Sequence, residues 1–287
     1  MVHLIVRGIR RVRRKYISDN FFALPMIRKM YRLLLRRTPF LERTGIPIDI
    51  GGLGYFKLHP ELAIGAYNYE EWGKAHNAGF RAWVEACRDK KVVFDIGAHI
   101  GLYALPASKV LAPQGRLYAF EPAKGNRELF KRHIQYNKIS NIEVMSDLVG
   151  NEQKQGVQFF ETDLVHGMNT IVQESVVHKS GALQFHRVLK NQICLDDFCR
   201  ERGIKPEIMK IDVEGGELRV LQGARNVLEY ARPLIFLSVH PTHLQHLGTS
   251  VRDLEKLLHT VGYAAYDQEG KRSDKLSKAE YILRPIL

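Results

Sequence analysis

Residues 92–101, Val-Val-Phe-Asp-Ile-Gly-Ala-His-Ile-Gly, constrain what this chain can fold into more than any other stretch. The apolar, β-branched run reads as a buried strand. It closes on Asp95, and Gly97 and Gly101 follow four residues apart. Leu102 to Leu111 then has helical character, which predicts a strand, a tight turn and a helix start. Glycines there permit a sharp turn and leave room for a ligand against the backbone. N–H groups at a helix start attract an anionic group. The dinucleotide fingerprint G-x-G-x-x-G requires a third glycine at position 99, where His99 stands, so a nucleotide-dependent oxidoreductase is the weaker reading. The same strand–turn–helix also serves as plain scaffolding.

From Lys91 onward the pattern alternates strand and helix, which predicts a doubly wound, Rossmann-like α/β sheet. Arg116 to Phe120 is the second strand and closes with Glu121-Pro122. Glu121 is placed where a carboxylate accepts hydrogen bonds from ribose hydroxyls. Asn126 caps a helix to about Tyr136, with His133 an ordinary boundary residue on its apolar face. Asn141 to Ser146 is a third strand, and Asp147 at its end either meets an adenine amino group or caps a turn. Residues 150–190 read as an insertion with weak strands at Val157–Glu161 and Gln184–Leu189, and a loop, His166 to Thr170, between them. A helix follows Leu195. The strand Glu207–Ile211 ends in Asp212-Val-Glu-Gly-Gly-Glu217. Crowding three carboxylates at a strand end is unfavourable unless something there uses them, and open α/β sheets bind ligands at that edge. Pro233 to Val239 is a fifth strand ending in His240. Ser250 and Asp253 form a capping-box start. Gly262–Tyr266 and Ala279–Ile286 make a terminal antiparallel pair.

Charge divides the chain differently. Of the net +12, ten charges belong to residues 1–43, where twelve Lys and Arg face two acids. Ile27, Met30, Tyr31 and Leu34 recur there at helical spacing among basic residues. A basic amphipathic helix of this kind suits an anionic membrane surface. Packing of the helix on the main domain is the alternative. No nucleic-acid module is recognisable in the tail, so nucleic acid is not an expected partner. Three domains result: 1–43, a basic helical extension; 44–90, a transitional or cap region in which Gly51 to Gly54 turns between short strands and Tyr67 to Cys87 supplies packing aromatics; and 91–287, the α/β domain. Three cysteines (Cys87, Cys194, Cys199) have no metal-ligand spacing and do not pair off, and no apolar run reaches membrane-spanning length. A cytoplasmic protein, peripheral to the inner face of the membrane through its tail, is expected.

Asp95-Ile-Gly-Ala-His-Ile-Gly101, Phe120-Glu-Pro122, Leu195-Asp-Asp-Phe198 and Lys210-Ile-Asp-Val-Glu-Gly-Gly-Glu217 resemble, in order and spacing, the motifs of the FkbM-type methyltransferases. The resemblance covers roughly residues 90–265 and is most specific over Lys210 to Glu217. It implies the seven-stranded class I methyltransferase sheet, S-adenosyl-L-methionine (SAM) as cofactor, and O-methylation of a sugar, glycolipid or related natural product. By resemblance Asp95, Gly97 and Gly101, with Ala98 in the same turn, line the methionine half, and Glu121 holds the ribose. Asp147 is the adenine candidate. The family more often has Asn where His99 stands and Thr where Cys194 stands.

An aliphatic hydroxyl must lose its proton as it is methylated, and a placed base is worth about 10²–10⁴-fold. Asp212, Glu214 and His240 are the candidates, with His240 the best matched in intrinsic pKa; its alternative is a capping histidine. His240, His243 and His246 recur at three-residue spacing and with Asp212 or Glu214 could make a metal site, but Pro241 argues against a shared face, so no metal site is expected. A non-catalytic SAM-fold protein held at a membrane is the competing reading. The uneven charge makes a direct prediction: the full-length chain binds anionic vesicles at low salt, binding weakens as salt is raised, and the chain without residues 1–43 loses it. Sedimentation with such vesicles measures this, and a full-length chain that stays in the supernatant overturns the membrane reading.

Overall fold

A computed structural model of the chain describes residues 39–63, 69–73, 77–162, 169–172 and 185–286. Most of the basic extension, Tyr67, His166 to Met168 and Gln184 lie outside the described residues. Among those described, 39–77 with 131–140 form one compact unit and 78–130 with 141–286 another. Residues 78–90 therefore belong with the α/β unit.

In the smaller unit, α1 (Pro39–Thr44) leads into an antiparallel hairpin of β1 (Ile46–Asp49) and β2 (Tyr55–Leu58), joined by the glycine-rich turn at 51–54. Alternating burial puts Ile46 and Ile48 on the packed face. His133 is more than a boundary residue: it is fully buried, and its Nε2 accepts the backbone N–H of His59 at 3.0 Å.

The larger unit is built on an eight-stranded sheet. Its strands are β3 (Val92–Ile96), β4 (Arg116–Phe120), β5 (Ile142–Met145), β9 (Ile208–Ile211), β10 (Leu234–Ser238), β11 (Tyr263–Tyr266), β12 (Arg272–Ser273) and β13 (Glu280–Pro285). They run in the order β12-β11-β13-β10-β9-β3-β4-β5. The five from β10 to β5 are parallel, and β13 inserts antiparallel between β10 and β11. These are the seven strands expected, with two-residue β12 added at the edge. Buried on both faces, the parallel strands read as near-continuous apolar runs. Phe94, Phe120 and Phe198 meet edge to face, with ring centroids 5.2–5.8 Å apart, beneath them.

The described strands of the insertion are longer than its sequence suggests. β6 (Leu148–Val149), β7 (Lys154–Thr162) and β8 (Phe185–Ile193) form a separate sheet in the order β6-β8-β7. Both long strands are largely solvated, which blurs the apolar alternation that marks a strand. The helix after Gly101 is shorter than expected, Ala104–Ser108, because the chain beyond it turns back. There Val110 O accepts Asp89 N–H, and Ala112 N–H donates to Lys90 O. Helices Lys124–Tyr136, Leu195–Arg202 and Glu217–Gln222 lie between strands as expected, and Ser250 and Asp253 complete a capping box on Val251–Thr260.

The two glycines of the β3 turn have φ of +85° and +86°, in the region that disfavours a Cβ. The space beside them is filled by protein. A Cβ on Gly97 would lie 1.9 Å from the Asp212 carbonyl oxygen, and one on Gly101 would lie 2.1 Å from the Phe130 ring. Gly203 has φ of +63° with nothing within 4 Å of its would-be Cβ. Gly203→Ala therefore should cost only the left-handed backbone term, about 1–2 kcal/mol. Gly97→Ala adds a backbone clash and should cost distinctly more, about 4 kcal/mol or above. Urea unfolding of the two variants checks the difference, and equal losses would refute the packing role of Gly97.

Candidate active site

The strand order reverses at β3. From there the chain builds β4 and β5 to one side, then crosses to place β9 on the other. A crevice opens at the carboxyl ends of strands at such a switch point, and the ends of β3, β4 and β9 carry Gly97, Glu121 and Asp212. A cleft of about 710 Å³, counting the solvent at its mouth, lies there. Ile96, Phe120, Leu148, Val149, Phe159 and Ile171 supply apolar wall; Gly97, Glu121, Asp147, Asp212 and Glu214 supply polar groups. Five expected site residues thus face one cavity. Asp95, Ala98, Gly101 and His240 are not among its lining residues.

The turn after β3 is not an anion cradle. Gly97 and Ala98 both donate their N–H to Phe120 O, His99 N–H donates to Glu121 Oε2 at 2.8 Å, and Gly101 N–H donates to Ala98 O. These four turn donors are spent within the protein. The helix that follows has five residues, too few to build a strong terminal dipole. The glycines serve close packing rather than room for a ligand.

Glu121 is the polar centre of the cleft. Its Oε1 accepts Ala123 N–H at 2.9 Å and Asn126 Nδ2–H at 3.3 Å, while Oε2 accepts the His99 N–H. A carboxylate has about four lone-pair positions, so capacity remains. Burial pushes its pKa up to about 7, against the pull of the Ala123 and His99 N–H groups and the Asn126 amide.

At the β3–β9 border, strand register sets Asp95 beside Lys210. Lys210 is buried, its Nζ is 3.0 Å from Asp212 Oδ2, and it lies 4.5 Å from the Tyr103 ring centroid. Asp95 is fully buried, and neither carboxylate oxygen has a hydrogen-bond partner among the described residues. Burial pushes Asp95 up to about 6; Lys210 pulls it down and Asp212 pushes it up. For Asp212 burial acts upward, but Lys210 and His240 outweigh it and hold the carboxyl below its usual range. Lys210, which burial pulls down, is held above its usual value by Asp212 and Asp95.

Next to Asp212 the chain kinks. Glu214 is left-handed at φ +52° and Gly215 is at φ +112°, where a Cβ would lie 2.7 Å from His243 Cβ. Strained backbone of this kind collects at functional sites. The kink brings Glu214 under the helix Pro241–His246, whose N-cap residue is His240. His240 Nδ1 is 2.5 Å from Glu217 Oε1, and its Nε2 is 3.9 Å from Asp212 Oδ1 and 3.8 Å from Glu214 Oε1. Burial lowers the His240 pKa, but the Glu217 hydrogen bond and the charges of Glu214, Glu217 and Asp212 outweigh it and raise it. His240 is an N-cap by position, yet its side chain makes no capping hydrogen bond.

Three participants escaped the sequence reading of the site. Glu217 is fully buried and orients His240; it belonged to the acidic block but carried no separate signal. Lys210 was legible as a lone cation inside the apolar strand Ile-Met-Lys-Ile. Arg219 lines the cleft and forms no ion pair among the described residues.

A mostly parallel sheet with a carboxylate-bearing cleft at its switch point defines a Rossmann-like α/β protein with a candidate ligand site at the ends of β3, β4 and β9. The Methyltransferase FkbM domain profile matches residues 95–265, more than half of the chain, and the chain belongs to that family. Among curated proteins it is similar to the hexuronic acid methyltransferase AglP of Haloferax volcanii, 25% identical over 62% of this chain and 65% of the relative. It is also similar to Methyltransferase 1 of Beauveria bassiana, 25% identical over 47% of this chain and 59% of the relative. The chain thus spans less than two thirds of the length of each. Among solved structures, an FkbM methyltransferase of Methylobacillus flagellatus is 18% identical, with a TM-score of 0.42 over 68% of this chain and 43% of that one.

The buried ion pair yields a stability prediction. Replacing Lys210 leaves Asp95 and Asp212 without their cation, and breaking a buried pair in this way destabilises by about 3–5 kcal/mol. Lys210→Met should show that loss in urea unfolding at neutral pH. A change below about 1 kcal/mol would mean that the cation is dispensable to the strand ends.

Proposed function

We propose that the protein is a SAM-dependent O-methyltransferase acting on a hydroxyl of a sugar, glycolipid or related natural product. The observation that carries this reading is the Glu121 carboxylate in an apolar cleft, next to the Asp212–Glu214–His240 cluster at the same sheet edge. The residues present suit the nucleoside half of SAM. Glu121 keeps acceptor capacity for a ribose diol, the apolar walls suit a flat base, and Asp147 stands at the far end as a partner for an amino group. When bound, SAM supplies a methyl group made electrophilic by a sulfonium.

The chain's own residues do the rest. Asp212 and Glu214 reach the cleft wall, and with His240 they form the place where the acceptor hydroxyl is held and gives up its proton. Glu217 fixes the His240 ring by accepting from Nδ1, which presents Nε2 to Asp212 and Glu214. Holding the reacting oxygen in line supplies several kcal/mol of the acceleration, on the order of the gains from well-oriented intramolecular reactions. That AglP is a hexuronic acid methyltransferase supports a glycan acceptor. The basic extension places the enzyme at the anionic inner face of a membrane, where a glycolipid would be met. No helix among the described residues is long and apolar enough to cross a membrane.

Calorimetry with SAM, followed by detection of S-adenosylhomocysteine after incubation with extracted glycans and glycolipids, tests the proposal. SAM affinity should rise with pH through about 7, because ionised Glu121 is the better acceptor for the two ribose hydroxyls. Glu121→Gln should bind more weakly by about 1.5–3 kcal/mol, the worth of a hydrogen bond to a charged group, and lose that pH dependence. His240→Ala should keep SAM affinity and lose about 10²-fold or more in kcat. SAM affinity unchanged in folded Glu121→Gln would overturn the cofactor assignment, and near-normal turnover of His240→Ala would return the histidine to a capping role.

A further inference from the structure

We propose that Asp212 Oδ1, Glu214 Oε1 and His240 Nε2 are the protein ligands of a divalent cation. The inference rests on the assignment of the acceptor end to this cluster. It departs from the sequence expectation of no metal: of the three histidines considered there only His240 takes part, and both Asp212 and Glu214 join it. One donor atom from each of Asp212, Glu214 and His240 lies within 4.8 Å of the other two.

The case stands on what the other half of each side chain does. Asp212 Oδ2 is held by Lys210 Nζ at 3.0 Å. Glu214 Oε2 faces His243 Nδ1 at 3.1 Å. His240 Nδ1 is held by Glu217 Oε1. Two of the outer atoms are thus hydrogen-bonded and the third lies beside a histidine ring nitrogen, while the three inner atoms have no hydrogen-bond partner among the described residues. Their separations of 3.8 and 3.9 Å are too long for hydrogen bonds to one another. Around an octahedral cation that holds its donors at about 2.1 Å, neighbouring donors close to about 3 Å. Small rotations of partly exposed side chains cover that difference. A ligating histidine whose second nitrogen donates to a carboxylate is the supporting arrangement that metal sites use to fix ring and tautomer.

Charge points the same way. Asp95 and Asp212 share Lys210, while Glu214 and Glu217 face only the imidazoles of His240 and His243, and the two most buried of the four acids, Asp95 and Glu217, are completely enclosed. A cation between the inner atoms offsets that surplus. Two carboxylates and one imidazole suit Mg²⁺ or Mn²⁺ better than a thiolate-seeking metal. Three positions remain for water and for acceptor oxygens. A hydroxyl bound there is acidified by the cation, and its proton passes to solvent. The imidazole cannot both coordinate and accept that proton at Nε2, so His240 acts here as a ligand.

The test uses Mn²⁺ with the full-length, chelator-stripped chain. Electron paramagnetic resonance should count one tightly held Mn²⁺ per chain, and electron spin-echo modulation should show coupling to an imidazole nitrogen. Asp212→Asn and Glu214→Gln should each weaken binding at least about 10-fold, and Glu217→Gln, which touches no cation, about 10- to 100-fold through the His240 ring. The spin-echo experiment needs no variant, so a poorly folding substitution leaves the proposal testable. Absence of a stoichiometric site, Mn²⁺ without nitrogen coupling, or unchanged binding in folded Asp212→Asn and Glu214→Gln would overturn it. SAM binding measured in the same stripped protein separates this failure from that of the methyltransferase reading: a protein that binds SAM but shows no Mn²⁺ site defeats the cation site alone.

Discussion

The ammonium of Lys210 is the interaction on which the sheet's working edge depends. It sits in a central strand, where charge is excluded unless paired, and it is shared between a carboxylate on its own strand end and one on the strand beside it. Without it, the ends of β3 and β9 would bring two acids together in a dry environment. With it, the strands can close to the distance at which Gly97 meets the Asp212 carbonyl. The glycine and the lysine answer the same demand. One removes a side chain so that two strand ends can touch, and the other removes the repulsion between the acids they carry.

From that edge the site is assembled by constraint rather than by flexibility. β3 and β4 exchange hydrogen bonds through the turn, so that Phe120 O takes two donors and Glu121 takes a third. The position of the ribose candidate is thereby tied to the position of the glycine turn. On the other side, the left-handed Glu214 and the glycine after it lean on the helix that begins at His240. Buried Glu217 then joins the end of one helix–strand unit to the start of the next. Such a chain of contacts holds polar groups in place before any ligand arrives, which is the arrangement favoured for electrostatic stabilisation.

Much of this was legible in the sequence because period and punctuation are local. Apolar runs ending in Asp95, Glu121, Asp212 and His240 located the strands and their functional ends, and the capping box at Ser250 fixed a helix start. The roles of individual atoms were less legible. Gly101 reads as space for a ligand but is filled by Phe130, a residue 29 positions away in the sequence. The N–H groups of the turn read as free, yet their acceptors come from the neighbouring strand, and no local pattern reveals strand order. His133 and Glu217 look ordinary until a distant segment arrives to pair with them. The two solvated strands of the insertion were blurred for a different reason: with little buried surface, no alternation is required of them.

The insertion is also closed on itself at its root. Leu148 pairs with Gln192, Val149 pairs with Ile193, and Gly150 N–H donates to Ile193 O. The segment that leaves the sheet edge after β5 is therefore zipped to the segment that returns to it, and three of these root residues, Leu148, Val149 and Gln192, also wall the cleft. Closure entropy grows only slowly with loop length once the ends are fixed. Length can change between the root residues at little entropic cost, whereas Phe159 and Ile171, which the same stretch carries, belong to the cleft wall. In evolutionary terms the fold carries an exchangeable cassette that supplies part of the cleft wall, so the pocket can be reshaped there without rebuilding the sheet edge that bears Glu121 and Asp212.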